Sequence, residues 1–109
     1  MRTTIPTVKI VLDRERTLRF DFNALASFEE QSGRSALDPA VWNSPDAKTL
    51  RALLWAAMLH EDEALTIKAV GAMIHAGNVS YVSEKIQEAS AASNPEPSGD
   101  NGEGSDPNA

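Results

Sequence analysis

The side chains with the greatest chemical potential in this sequence are one histidine and three carboxylates in a row, His60-Glu61-Asp62-Glu63. Imidazole nitrogens and carboxylate oxygens can hold a hard metal ion, so this run could form a weak metal site. Alternatively, His60 and His75 each lie near a helix C-terminus, where a partly protonated imidazole meets the negative end of the helix dipole. We favour the second interpretation, and the sequence therefore predicts no bound metal ion.

Other catalytic signatures are missing from the sequence. No glycine-rich phosphate loop follows a strand pattern, and no serine stands in a nucleophile-elbow motif. The chain has no cysteine, which excludes disulfides and thiolate metal sites. We therefore predict that the protein is not an enzyme and needs no cofactor.

Glu29 is a carboxylate at an apolar helical position. At about 100° per residue it falls between Phe22 and Leu25 on the apolar arc of the first predicted helix. A carboxylate that faces a core needs a partner or a raised pKa. We expect a structural role, either pairing with a cation or accepting backbone amides at a neighbouring helix start, and the alternative is a specificity contact for a partner. The candidate cations are Arg19, Arg51 and Lys9.

The two tryptophans pose a choice between core and contact. Trp55 lies in a long apolar run and is expected in the core. Trp42 lies in a linker beside Val41, and two roles are equally supported for it. It is either an exposed anchor, since tryptophan is enriched at interaction hot spots, or a side chain that fills the core.

A small α+β fold must position these side chains. Alternating apolar residues before and after the polar loop 13–16 predict an N-terminal β-hairpin. Two strands alone are marginal in water, so the hairpin must pack on helices, and an open edge could accept a strand from another chain. Its inward residues are Val8, Ile10, Leu12, Leu18 and Phe20.

A bundle of three to four helices follows the hairpin. Asp21 is the expected N-cap of the first helix, with Phe20 and Leu25 as its hydrophobic staple. Gly33 is expected to end that helix in the left-handed conformation. Residues 35–43 then form a linker with one short helical turn.

The second predicted helix is the centre of the fold. Ser44 is its expected cap, with Pro45 at the first helical position and Asp46 near the positive dipole end. Its segment 52–59, ALLWAAML, is apolar on every face, which is typical of a buried helix. A third helix is predicted from Thr66 to about His75, and a fourth from Val79 to about Ala91.

The composition divides the chain into two parts. We assign residues 1–92 to a single α+β domain. Residues 93–109 hold no large apolar side chain, several prolines and glycines, and four of the sixteen acidic residues, so we predict a disordered acidic tail. The net charge of −6 argues against a nucleic-acid partner, since binding to phosphates requires clustered cations.

Targeting signals are also missing. The N-terminus lacks the apolar stretch of ~7–15 residues of a signal peptide. No apolar run approaches the ~18 residues of a membrane span. We expect a cytoplasmic protein that does not bind membranes.

The segment FDFNALASFEEQSG resembles the small tail assembly chaperones of long-tailed bacteriophages and gene transfer agents. The likeness lies in the order of a hairpin strand, an apolar-Asn-Ala-Leu run, an aromatic-Glu pair and a closing glycine. It continues through LRALLWAAML, the acidic break, Leu65-Thr66 and the Gly77-Asn78 turn, and covers Val8 to Ala89.

The resemblance implies a non-enzymatic function. Such chaperones bind the long, helical tape measure protein in the host cytoplasm, keep it soluble, and help to recruit tail tube subunits around it. They are absent from the mature virion. The tape measure protein and, as a second partner, the tail tube protein are therefore the expected partners, and a homo-oligomer remains an alternative.

A surface for a helical client would lie along the second to fourth predicted helices. We name Trp42, Trp55, Leu59 and Met73 as candidate contacts; methionine is adaptable where partners vary. Two other functions remain open: a structural connector or tail-completion protein that stays in the virion, and a regulatory adaptor that binds a partner protein.

Overall fold

A computed structural model describes residues 7–93, which form a β-hairpin followed by helices. The α+β class predicted from the sequence is thereby confirmed, while the predicted tail lies outside the described residues, apart from Ser93 at its first position. The strands are β1 (Val8–Val11) and β2 (Glu15–Leu18), and the helices are α1 (Phe22–Ser32), α2 (Pro39–Asn43), α3 (Ala47–Met58), α4 (Ile67–Gly71) and α5 (Val79–Ser93). None of these helices is long and apolar enough to cross a membrane.

The hairpin pairs Val8 with Leu18 and Ile10 with Arg16 in antiparallel register. Ile10 and Leu18 are fully buried, as predicted. Arg16 is a correction: it was expected in the loop, but it lies in β2 and is only 4% exposed. Because side chains alternate along a strand, residue 16 faces inward together with Leu18.

The predicted capping of α1 is confirmed at both ends. The Asp21 carboxylate accepts the amide of Ala24 at 2.8 Å. Gly33 follows the helix at a φ of 75°, and its amide donates to the Glu29 carbonyl at 2.9 Å. This left-handed conformation strains any residue with a β-carbon, which explains the glycine.

The central helix α3 begins later than the sequence indicated. Its N-cap is Asp46, whose carboxylate accepts the amide of Thr49 at 2.9 Å. Ser44, the predicted cap, instead ends α2 by donating its amide to the Ala40 carbonyl. Asp46 is the effective cap because its carboxylate reaches a free amide of the first turn.

The prediction that α3 is buried is confirmed. The helix packs against α1, α4, α5 and β2. Within the segment 52–59, only Trp55 and Leu59 are half-buried, and the remaining side chains are buried. Burial on nearly all sides explains why this segment lacks polar residues.

The helix α4 ends at Gly71, four residues before the predicted end near His75. The Asn78 side chain accounts for the difference. Its amide group donates to the Met73 carbonyl at 2.9 Å, and its oxygen accepts the His75 amide at 2.8 Å. These bonds give the backbone of the turn the partners that a continued helix would have supplied.

Candidate functional site

The acidic run after α3 contacts the hairpin. Glu61 accepts the Thr17 amide at 3.1 Å and the Thr17 hydroxyl at 2.9 Å. His60 Nε2 lies 3.1 Å from the same hydroxyl oxygen. The Thr17 hydroxyl therefore lies within hydrogen-bond distance of both Glu61 and His60, and it joins the acidic run to β2.

A metal centre is not assembled by these residues. Asp62 turns toward Arg16, with 3.8 Å between its Oδ2 and Nη1 of the guanidinium. His75 lies in the turn after α4, where its Nδ1 accepts the Gly77 amide at 3.0 Å, and not at a helix end as predicted. In the described part of the chain, no group of three or more His, Asp or Glu side chains could hold an ion.

The Glu61 carboxylate closes one edge of the hairpin. Partial burial raises its pKa, but the hydrogen bonds from Thr17 and the neighbouring His60 outweigh burial, so the pKa of Glu61 lies below its ordinary value. At neutral pH the charged Glu61 carboxylate therefore accepts the hydrogen bond from the Thr17 amide at the edge of the hairpin.

Two other backbone amides of the hairpin region are occupied as well. Arg19 donates its amide to the Ala57 carbonyl, and Val11 donates its amide to the Tyr81 hydroxyl, each at 2.9 Å. A strand from another chain would have to displace such bonds, and this is how sheet edges are protected from pairing.

Arg16 is a buried cation that serves the fold. It forms two hydrogen bonds with the Asp13 carboxylate, at 2.8 and 2.9 Å. The hydrogen bond from Arg16 is the main reason why the pKa of Asp13 falls to about 2. A charge buried under the hairpin is tolerated only with such a partner.

A cleft with polar walls and a volume of about 280 Å³ lies between α1 and the C-terminal end of α3. Arg19 in this cleft forms an ion pair with Asp21 at 3.2 Å, and His60 is already bonded to Thr17. Arg19, Asp21 and His60 are thus engaged in structural contacts, and the arrangement offers no hydrogen-bonded pair of nucleophile and base among the residues that line the cleft.

Both tryptophans are held by their indole nitrogens. Trp42 donates to the Ala36 carbonyl at 2.8 Å and meets Phe20 edge to face at a centroid distance of 5.1 Å. Trp55 donates to the Leu65 carbonyl at 2.9 Å. Both are half-buried and pack against the core, so each contributes to the fold whatever its part in binding.

The other two candidate contacts are also half-buried. Leu59 lines the cleft beside His60, and Met73 packs against the core near the Asn78 turn. Each of the four candidate contacts therefore packs beside different residues. The four candidates are Trp42, Trp55, Leu59 and Met73.

Glu29 does not face the core. Its side chain is exposed, and one carboxylate oxygen accepts the Ala36 amide at 2.8 Å. The expected apolar arc included Phe22 and Leu25, but the buried residues of α1 are Ala24 and Phe28. Glu29 lies about 20° around the helix from Phe22, which is itself 79% exposed.

The most exposed large apolar side chains are ones that the sequence did not single out. Phe22 and Leu37 are each 79% exposed. Phe22 and Ala26 lie on successive turns of the outer face of α1, and Leu25 flanks them half-buried. Leu37 directly follows Ala36, whose amide donates to the Glu29 carboxylate on α1. We call Phe22, Leu25, Ala26 and Leu37 the α1 strip.

A signal for the strip existed in the sequence. Leu25 lies midway, in angle, between Phe22 and Phe28, so either aromatic residue could complete an apolar arc with it. The pattern alone could not decide which of the two is covered. In comparisons with protein-family models, curated proteins and solved structures, nothing matches this chain.

Proposed function

We propose that this protein is a non-enzymatic tail assembly chaperone that binds the tape measure protein of a long-tailed phage or gene transfer agent and promotes assembly of the tail tube. The observation that carries the proposal is the α1 strip, whose Phe22 and Leu37 are each 79% exposed. Apolar side chains grouped on the surface of a small protein mark a binding surface. The client is suggested by the resemblance of residues 20–33 to the chaperone family.

The strip has dimensions that suit a helical client. From Phe22 to Glu29 the helix rises by about 10 Å, which corresponds to roughly two turns of a partner helix. An amphipathic helix would place apolar residues of successive turns on such a surface. Because the client's apolar stripe drives its aggregation, covering that stripe keeps the client in solution.

Co-expression with the tape measure protein tests the proposal. We expect this chain to raise the soluble fraction of the client, and the double variant Phe22→Ser/Leu37→Ser to bind it at least about tenfold more weakly, since each substitution removes ~1.5–3 kcal/mol of apolar burial. Val11→Ser is the matched control, because Val11 is 62% exposed but lies on the hairpin. Equal solubility of the client with and without this chain would refute the proposal.

Purified particles separate the chaperone from a structural component. A chaperone acts before the tail is complete, so mass spectrometry of mature particles should not detect this chain. Stoichiometric amounts in the particles would instead indicate a connector or tail-completion protein. Host-cytoplasmic location is part of the same proposal, and fractionation of the producing cells into cytoplasm, membranes and particles tests it.

A further inference from the structure

A second surface of the molecule is distinguished by charge. A cleft of about 170 Å³ at the N-terminal end of α3 is lined by three cations, Arg34, Lys48 and Arg51, and by a single carboxylate, Asp46. None of the three cations forms an ion pair with a carboxylate among residues 7–93, whereas Lys9, Arg16, Arg19 and Lys85 each do. We call Arg34, Lys48 and Arg51 the α3 cation cluster.

The cluster is built into the fold. Arg34 donates to the buried Thr49 hydroxyl at 2.9 Å. Arg51 lies against Gly71, where an added β-carbon would come within 3.0 Å of the arginine Cδ. Its Nε is buried without a hydrogen-bond partner among the described residues. Two of the three cations are therefore held in place before any ligand binds.

The positive charge of the α3 cation cluster already affects Asp46, the one acidic residue that lines the cleft. The hydrogen bonds with Thr49 are the largest cause that lowers the pKa of Asp46, and the charges of Arg34 and Lys48 lower it further. With one acid against three cations, the cleft keeps an excess of positive charge. The free amides of the first turn of α3 add to it.

We propose that the acidic segment 94–109 of the same chain docks on the α3 cation cluster. That segment carries four carboxylates and no basic residue. They are Glu96, Asp100, Glu103 and Asp106. The remaining chain holds twelve acids against ten bases, so four of the six net negative charges of the protein lie in this segment. This proposal goes beyond the proposed function and does not depend on it.

The end of α5 brings the segment within reach. Gln87 on α5 donates its side-chain amide to the Trp42 carbonyl, and Trp42 precedes the α3 N-cap by four residues. From there α5 continues six residues to Ser93. The end of α5 thus lies within roughly 30 Å of the cluster, and residues 94–109 can span roughly 50 Å.

Tethering makes a weak contact sufficient. A segment attached this close has an effective concentration on the order of millimolar, so a contact with a Kd of only about 1 mM keeps it bound about half of the time. Docking would cover the cluster against other polyanions, and a partner that uses the cluster would have to displace the segment.

A spin label on the full chain tests the docking. The protein has no cysteine, so Asn101→Cys can be labelled at that position alone. In low salt we expect the amide signals of Arg34, Lys48 and Thr49 to fall to about half or less, and to recover at ~1 M salt, where screening acts beyond ~3 Å.

Matched variants separate docking from mere proximity. Neutralising the segment with E96Q/D100N/E103Q/D106N should abolish the broadening without touching residues 7–93. R34Q/K48Q should also abolish it, while K9Q/R14Q removes the same charge from the hairpin and should not. Broadening that survives high salt or the neutralised segment would overturn the proposal.

A mixing experiment decides whether the segment at the cluster belongs to the same chain or to a second copy. Spin-labelled chain without isotope is mixed with isotope-labelled chain that carries no spin label. We expect no broadening at the cluster in this mixture. Broadening there would show that the segment of a second copy occupies the cluster, and it would overturn docking within one chain.

Discussion

The helices α3 and α1 differ in how many neighbours cover them. α3 is enclosed by α1, α4, α5 and β2, and residues 52–59 are nearly all buried. α1 packs mainly against α3, so Ala24 and Phe28 are buried while Phe22, on another side of the helix, is 79% exposed. An apolar side chain is therefore buried only where a second element lies across it. One that remains uncovered is available to a partner.

The largest expected effect comes from truncating one apolar side chain on α3 and, for comparison, one on α1. Leu53 on α3 is fully buried, and Leu53→Ala should lower the free energy of unfolding by about 2–5 kcal/mol because it leaves a cavity. Phe22→Ala should change it by no more than ~0.5 kcal/mol, since an exposed side chain loses little packing. Urea unfolding of both variants measures the difference. A loss at Phe22 as large as that at Leu53 would mean that the outer face of α1 is covered.

A smaller effect is expected from the ion pair between Asp13 and Arg16 in the hairpin, whose strand β2 packs on α3. Asp13→Asn weakens the partner of buried Arg16, and we expect a loss of about 1 kcal/mol at neutral pH, since Asp13 is itself half exposed. Glu15→Gln is the control, because the ion pair of Glu15 with Lys9 is exposed.

The pH dependence of the same variant provides a second readout. The pKa of Asp13 is about 2 in the folded protein, below the 3.8 of the free side chain. A lowered folded pKa means that the stabilisation is complete above pH ~4 and is lost as the pH falls toward 2. The difference in unfolding free energy between the wild type and Asp13→Asn should therefore shrink over this interval. A constant difference would contradict the ion pair.

The smallest effect is expected at Glu29, on the exposed side of α1. The amide oxygen of Glu29→Gln can still accept the Ala36 amide, so we expect a loss below ~0.5 kcal/mol at neutral pH. Glu29→Ala removes the acceptor and should lose ~0.5–1.5 kcal/mol. If Glu29→Gln is as destabilising at neutral pH as Glu29→Ala, the carboxylate charge itself is required there.

Local signals in the sequence predicted much of the fold. The hairpin followed from alternation, and the ends of α1 followed from Asp21 and Gly33, which act within a few residues of themselves. The errors arose where two local signals compete. Ser44 and Asp46 are both good caps, and the Asn78 side chain ends the helical pattern that Ile74 would have continued.

The candidate contacts were harder to predict than the fold. Trp42 was equally suited to core and surface because its sequence neighbours do not show that Phe20 and Ala36 lie beside it. Arg16 was placed in a loop because residues 13–16 interrupt the alternation of apolar residues, and the sequence does not show that Asp13 and Asp62 form the ion pairs that make its burial tolerable.

By itself, the sequence determined the order of the elements, the burial of ALLWAAML and the acidity of the C-terminal segment, since caps, periodicity and composition are properties of neighbouring residues. The tertiary structure alone decided that Phe28 is covered and Phe22 is not, and that three cations meet at one end of α3. Exposure and charge clustering depend on which distant elements lie side by side, and a pattern read along one helix contains no information about its neighbours.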